Sequence, residues 1–474
     1  MGQKNRLYVD IMSAHPEVTG SCILCIAKHQ TGEKFKFAVD CGLFQEEKYE
    51  TLNTSLPFNS EELEFILATH NHIDHIGRLP FTVKEGFYKN IYTTKATRKL
   101  MKPALENSCK VLEDLAKRNN AKPLYDDINV EETLKHVYGC DFDTSIEVAP
   151  NIKTTFFKNG HLPGAALILV QISSYYSEDI NILFTGDYNN KNTFFDVPEL
   201  PKWVLDLPLT VVMESTYGEI NSDELSQTFE TNITEAVHEK KNIVIPVFSL
   251  GRAQEILYVL KKMQDSEKIP NNYPIYLDGP LTQTYTGIYQ KSNIGIDEEL
   301  KENFLPSNLN YILSCEERLA VTSNSWPKIV VTSSGMASHG PAQMHIPAVI
   351  SQKNGLVHFT GYTAEGTLGH RLQHAEHNEP ISVGGLIVKK LGEVKYTNEF
   401  SSHAKADEMI DFLKKFNNLK LVLLNHGQTE TKEKFASKIL DSVNPKNVGI
   451  LGRDYFFRIN PYGLVKTMGT KFTC

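Results

Sequence analysis

The chain has 474 residues, 41% of them hydrophobic and 10% aromatic, a globular composition too long for one compact core, so two domains of ordinary size are expected. No apolar run approaches the roughly 18 residues of a membrane span, and Met1-Gly2-Gln3-Lys4-Asn5-Arg6 lacks the apolar stretch of a signal peptide, so no membrane association and a cytoplasmic location are expected. Seven scattered cysteines, an odd number, argue against a disulfide framework, and the net charge of −8 argues against long duplex wrapping without excluding a local nucleic-acid site.

Along the chain, short apolar, β-branched runs each end on a polar residue able to do chemistry. Phe35-Lys36-Phe37-Ala38-Val39 leads to Asp40, and Phe65-Ile66-Leu67-Ala68-Thr69 leads to His70. Ile182-Leu183-Phe184-Thr185-Gly186 leads to Asp187, Leu209-Thr210-Val211-Val212-Met213 to Glu214, and Leu421-Val422-Leu423-Leu424-Asn425 to His426. Such runs suit buried strands, and residues just past strand ends gather along one sheet edge, where α/β proteins build their sites. Helical spacing marks 95–120, with an interruption expected at Pro103, and shorter helices at 224–239, 252–264, 405–416 and 431–441. The stretch 208–389 has its own strand candidates at 243–248, 275–278, 328–332 and 356–360, Pro246 being an awkward member of the first. Chemical residues lie on both sides of that stretch, so it reads as a domain inserted between 1–207 and 390–474.

The strongest signal is Thr69-His70-Asn71-His72-Ile73-Asp74-His75. Three histidines and an aspartate directly after a strand make a poor core, whereas imidazole and carboxylate are the ligands a borderline divalent metal takes. Spacing by two in an extended turn puts His70 and His72 on one side, leaving Asp74 and His75 to face a second ion. A lone His161 in Asn159-Gly160-His161-Leu162-Pro163-Gly164, or a lone Asp187, would read as a turn or cap residue; their order after the cluster raises them.

With these motifs in place, the chain resembles the metallo-β-lactamase superfamily of two-zinc hydrolases, Asp40 matching its first motif. Glu17-Val18-Thr19-Gly20-Ser21-Cys22, Glu214-Ser215-Thr216-Tyr217-Gly218, Gly251-Arg252-Ala253-Gln254-Glu255, Ser333-Ser334-Gly335-Met336, Glu365-Gly366-Thr367-Leu368-Gly369, Phe400-Ser401-Ser402-His403 and Asn425-His426-Gly427 resemble its β-CASP branch, over essentially the whole chain. The resemblance implies an αββα sandwich with an inserted α/β β-CASP domain, and an RNA-processing hydrolase. It assigns His70, His72, His161 and Asp187 to one zinc, and Asp74, His75, Asp187 and His426 to the other, with Asp187 shared. It makes Asp40 a residue that orients the ligands, and makes Glu214 and His403 a pair in which His403 protonates the leaving oxygen. Two Zn2+ per chain and single-stranded RNA as substrate follow, with endonucleolytic cleavage favoured. Specificity is left to protein partners or a second copy. The alternatives carried beside it are a DNA nuclease of the same branch and a small-molecule metallo-hydrolase. The start departs from the family, which has small residues and glycines where this chain reads Ser13-Ala14-His15-Pro16, and none of these four is expected to touch a ligand.

Weaker signals have bland readings of comparable weight. Ser333, Ser334, Gly335 and Met336 follow a strand and could cradle a phosphate on backbone N–H groups, with a plain tight turn as the equal alternative. Arg252 opens a helix beside Gly251, which suits a phosphate, a structural salt bridge being the other reading. Cys22 and Cys25 read as core packing. His370, His374 and His377 share a helix face that reads as solvated, as do Lys389-Lys390 and Lys414-Lys415.

Overall fold

A computed structural model describes residues 7–469 except 16, 175–177, 226, 362, 364–365 and 444. Pro16 and Glu365 of the motifs above lie outside the described residues. The chain forms two compact units, Met1–Ser222 with His403–Cys474, and Asp223–Ser402.

The first unit is built on two sheets. In chain order the first contains β1 (Tyr8–Ser13), β2 (Ile23–Lys28), β3 (Lys34–Val39), β4 (Leu63–Leu67), β5 (Ile91–Thr94) and β6 (Val137–Cys140), which are neighbours in that order. The strands Tyr455–Asn460 and Gly463–Gly469 extend it beyond β1. The second contains β7 (Ser145–Ala149), β8 (Ile152–Lys158), β9 (Ala166–Ile172), β10 (Ile180–Phe184) and β11 (Leu209–Met213), followed in space by Leu419–Leu424 and Val448–Ile450. Alternation decides what each face meets. Phe37, Val39, Phe65 and Leu67 of the first sheet share one core with Ile168, Val170, Ile182 and Phe184 of the second. The opposite face of the second sheet, Leu169, Leu183 and Val211, packs on Phe412 and Leu413 of the helix Ala406–Lys414 and on Phe435 and Ile439 of Thr429–Val443. The helix Lys95–Arg118 lies in contact with β5 and β6 of the first sheet, which gives the αββα order.

Because β11 pairs in parallel with β10 on one side and with Leu419–Leu424 on the other, residues 208–222 belong to this unit. The division therefore falls at 222/223 and 402/403, not at 207/208 and 389/390. The interruption expected at Pro103 is also absent: Lys95–Arg118 is one helix with Pro103 inside it. Leu100, Met101, Ala104, Leu105 and Cys109 are buried on both sides of the proline, and their packing offsets the lost backbone bond.

The second unit holds a six-stranded sheet whose neighbouring strands pair in parallel, in the order Leu309–Ile312, Ile275–Asp278, Lys328–Thr332, Asn242–Pro246, Gly355–Phe359, Glu393–Tyr396. Ile243, Ile245, Ile329 and Val331 face one core and Val244 and Val330 the other, so both faces are covered, as parallel sheets require. Pro246 is the last residue of its strand.

Candidate metal centre

The parallel strands β3 and β4 of one sheet, and β10, β11 and Leu419–Leu424 of the other, deliver the chemical residues from their C-terminal ends. Val39 is followed by Asp40 at φ 61°, and Asn425 by His426 at φ 46°. Left-handed backbone at non-glycine residues costs on the order of 1 kcal/mol or more and is tolerated where surrounding structure enforces it. Gly42 allows the β3 end to pass under the His/Asp loop, since a Cβ there would lie 1.5 Å from the Asp74 carbonyl oxygen.

Donor atoms of His70, His72, His161 and Asp187 form one group, and those of Asp74, His75 and His426 another, the atoms of each lying within 4.8 Å of one another. Asp187 faces both through different oxygens. Its Oδ2 is 3.5 Å from His70 Nε2 and 3.6 Å from His161 Nε2, while its Oδ1 is 3.2 Å from His75 Nε2 and 3.4 Å from His426 Nε2. His161 Nε2 and His72 Nδ1 are 3.1 Å apart, and His426 Nε2 is 3.6 Å from Asp74 Oδ2. Ligand atoms at about 2.0–2.1 Å from a tetrahedral zinc sit about 3.3 Å from each other, so these separations are those of coordination edges.

The electrostatics fit divalent cations. His70 Nε2 and Asp187 Oδ1 are buried without a hydrogen-bond partner. Burial holds His70 and His72 well below the usual imidazole range, His72 at about 4, which keeps them neutral as ligands. Burial would also depress His75, but the carboxylates of Asp187, Asp40 and Asp74 outweigh it and hold that ring well above its ordinary value. Burial pushes Asp187 up, yet the surrounding histidines His426, His75, His70 and His403 outweigh it and keep the carboxyl far below its ordinary range. A buried cluster of carboxylates that draws protonation onto His75 is one that a metal cation would satisfy.

Asp40 is outside both donor groups and bonds to their neighbours. Its Oδ2 lies 2.8 Å from His75 Nδ1, and Thr69 donates to it from both backbone N–H, at 2.8 Å to Oδ1, and hydroxyl, at 2.9 Å to Oδ2. The far nitrogen of His426 is likewise held, 3.0 Å from Thr216 Oγ1. His403 Nδ1 lies 2.9 and 3.0 Å from the two oxygens of Glu214, and its Nε2 is 3.9 Å from Asp187 Oδ2. Glu214 is itself fixed by the N–H groups of Tyr188 and Thr216.

Of Ser13, Ala14 and His15, His15 comes nearest to a candidate ligand. His15 is buried, with its ring centroid 6.5 Å from that of His426. The N–H of Cys22 donates to His15 Nδ1 at 3.1 Å, which places the ring proton on Nε2, and that nitrogen is buried without a hydrogen-bond partner.

In the second unit, Ser333 to Met336 follow the strand Lys328–Thr332 as a turn in which Ser334 Oγ donates to the His339 carbonyl at 3.2 Å and its carbonyl accepts from Ala337 N–H. Arg252 opens the helix Arg252–Asp265, donating to the Thr360 carbonyl and, at 3.2 Å, to Glu255. Cys22 and Cys25 are buried free thiols.

Three family models cover most of the chain: the metallo-beta-lactamase superfamily over 30–224, the Beta-Casp domain over 253–372 and the Zn-dependent metallo-hydrolase RNA specificity domain over 388–448. A ribonuclease of Thermus thermophilus is 30% identical over 427 residues, 87% of this chain and 91% of that protein. The chain belongs to the β-CASP branch of the metallo-β-lactamase superfamily. Within that family it is also 28% identical to a transcription termination factor of Methanosarcina mazei, over 89% of this chain and 67% of the relative. It is 27% identical to cleavage and polyadenylation specificity factor subunit 3-I of Arabidopsis thaliana, over 94% and 63%. No described helix is long and apolar enough to cross a membrane.

Proposed function

We propose that this chain is a zinc-dependent ribonuclease that hydrolyses RNA phosphodiesters endonucleolytically, with two Zn2+ in the centre described above. The observation that carries the reading is Asp187, whose two oxygens serve two donor sets. The ribonuclease of Thermus thermophilus and the RNA specificity domain favour RNA as substrate.

His70, His72, His161 and Asp187 would hold one ion, and Asp74, His75, Asp187 and His426 the other. Bound there, the ions would supply Lewis acidity toward the scissile phosphate and the attacking water. Asp40 fixes the tautomer and angle of His75 and ties it to the Thr69 turn. His403 presents Nε2 to the reaction while Glu214 holds Nδ1, and it delivers a proton to the leaving ribose oxygen, a poor leaving group without one. Ser333, Ser334, Gly335, Met336 and Arg252 are proposed as contacts to the RNA backbone, with Arg252 exchanging a carbonyl partner for phosphate. The six unpaired cysteines among the described residues suit a reducing cytoplasm. Specificity for a given RNA would come from protein partners or a second copy.

The test is digestion of end-labelled single-stranded RNA and DNA of one sequence, with product ends mapped. Internal cuts in RNA alone support the reading. DNA cleavage at equal rate would make the chain a general or DNA nuclease, and cleavage of neither, with a lactam or thioester hydrolysed instead, would make it a small-molecule hydrolase.

A further inference from the structure

The helix Lys95–Arg118 carries Lys95, Arg98, Lys99 and Lys102 in its first half, all four exposed. At 100° per residue these positions fall within an arc of about 100°, one stripe on the solvent side. The chain as a whole is acidic, at −8, so four cations in eight residues are a local reversal of sign.

Lys95, in the first turn, also sits where a cation opposes helix stability. The first turn contains no acidic residue, and cations near a helix N-terminus face the positive end of its dipole. Lys95 lies 2.6 Å from Asp141 and Lys102 3.6 Å from Glu106. Those partners are themselves exposed, and such pairs are weak enough for a phosphate to displace.

The helix is fastened to the metal loops. Asn71, between His70 and His72, donates to the Leu100 carbonyl at 2.9 Å. The hydroxyls of Thr94 and Thr97 donate to the carbonyl of Gly164, in the His161 turn, at 2.7 and 2.9 Å. A Cβ on Gly164 would lie 2.6 Å from Thr97 N, so helix and turn meet directly. Since β3, β4 and β5 run in parallel, the helix starts from the same sheet edge that presents Asp40 and His70.

We infer that the exposed stripe Lys95, Arg98, Lys99 and Lys102 is a track for the phosphate backbone of single-stranded RNA leading to the metal edge. This rests on the ribonuclease reading and adds the path of the substrate. The track reads charge and not bases, so it contributes affinity without sequence preference.

The test uses the full chain with its metals. Binding of a labelled 2′-O-methyl single-stranded RNA is followed against salt for wild type, for Arg98→Gln/Lys99→Gln/Lys102→Gln and for Lys414→Gln/Lys415→Gln. Each phosphate contact to a single strand contributes about 0.7 to the slope of log affinity against log salt, so the triple variant should lose about 2 from that slope. Lys99→Gln and Lys102→Gln singly should each lose about 0.7, which protects the result against a folding defect in the triple variant. Lys414→Gln/Lys415→Gln should keep the wild-type slope. An unchanged slope in the triple variant, or an equal loss in the control, overturns the track. Cleavage of ordinary RNA is scored separately. A wild type that cuts RNA with a slope indifferent to the triple variant loses the track alone. One that binds through the stripe but cuts no RNA loses the ribonuclease reading.

Discussion

His403 holds Glu214 with one ring nitrogen, at 2.9 and 3.0 Å to the two carboxylate oxygens, and turns the other toward Asp187 Oδ2, 3.9 Å away. Burial would depress this ring, but the charges of Glu214 and Asp187 outweigh it and raise its pKa above the ordinary value. The ring therefore borders the metal centre without belonging to either donor group. If His403 is the proton donor proposed above, its removal would affect chemistry and not metal retention.

His403→Ala is expected to keep its zinc while RNA cleavage falls by roughly 100-fold, the scale of a lost general acid. Glu214→Gln should act in the same direction, because a neutral partner no longer favours the imidazolium. On a nitrophenyl phosphodiester, whose leaving group needs no proton, the His403→Ala defect should shrink. Loss of zinc from His403→Ala, or an equal defect on both substrates, would make it a ligand or a positioning group instead.

Asp187→Ala removes a carboxylate from both donor sets at once. Protein purified without added metal should carry between one and two zinc equivalents by elemental analysis, and this variant should lose more of it than His72→Ala, which touches one set. Chelation should abolish cleavage, and zinc should restore it to wild type but not to Asp187→Ala. Iron in place of zinc would refute the zinc assignment, and equal retention by the two variants would refute the two-set assignment.

His15 packs beside His426 with its Nε2 proton unmatched among its neighbours. His15→Phe keeps an aromatic ring and removes both nitrogens, including the acceptor for Cys22 N–H. Because the ring packs beside His426, zinc held at the Asp74, His75 and His426 set should become easier to chelate. Zinc at the His70, His72 and His161 set should be unaffected. Unchanged chelation kinetics for both equivalents would leave His15 as packing only.

In the second unit Asp278 is fully buried, accepting from Arg318 at 2.6 and 2.8 Å and lying 2.7 Å from His345 Nε2. Burial pushes its carboxyl up, but the hydrogen bonds and charges of Arg318 and His345 outweigh it and hold the pKa below the usual value. A depressed carboxyl stabilises the fold above its unfolded pKa, about 3.9, and loses that contribution as pH falls through the folded value. Arg318→Met leaves the carboxylate without its cation and should destabilise by about 3 kcal/mol at neutral pH. The gap between wild type and variant, measured by denaturant unfolding, should narrow below about pH 4. A gap that widens on acidification would contradict the sign.

The order of chemical residues was legible in the chain because each follows a short apolar run, and a run of that length has one economical fate, a buried strand. Asp40, His70, Asp187, Glu214 and His426 were placed at strand ends by that logic alone, and family resemblance supplied their roles. Tertiary structure decided what local pattern cannot encode. Pro103 sits inside a continuous helix because buried neighbours on both sides outweigh one lost bond. Residues 208–222 join the first unit because β11 finds its partners in β10 and, some 200 residues on, in Leu419–Leu424. The approach of His15 to His426 and the split of Asp187 between two donor sets depend on side-chain directions fixed only when the sheets pack. Periodicity reports which face of an element is buried; which distant residue meets it there is set by long-range packing, and the metal centre is made of such meetings.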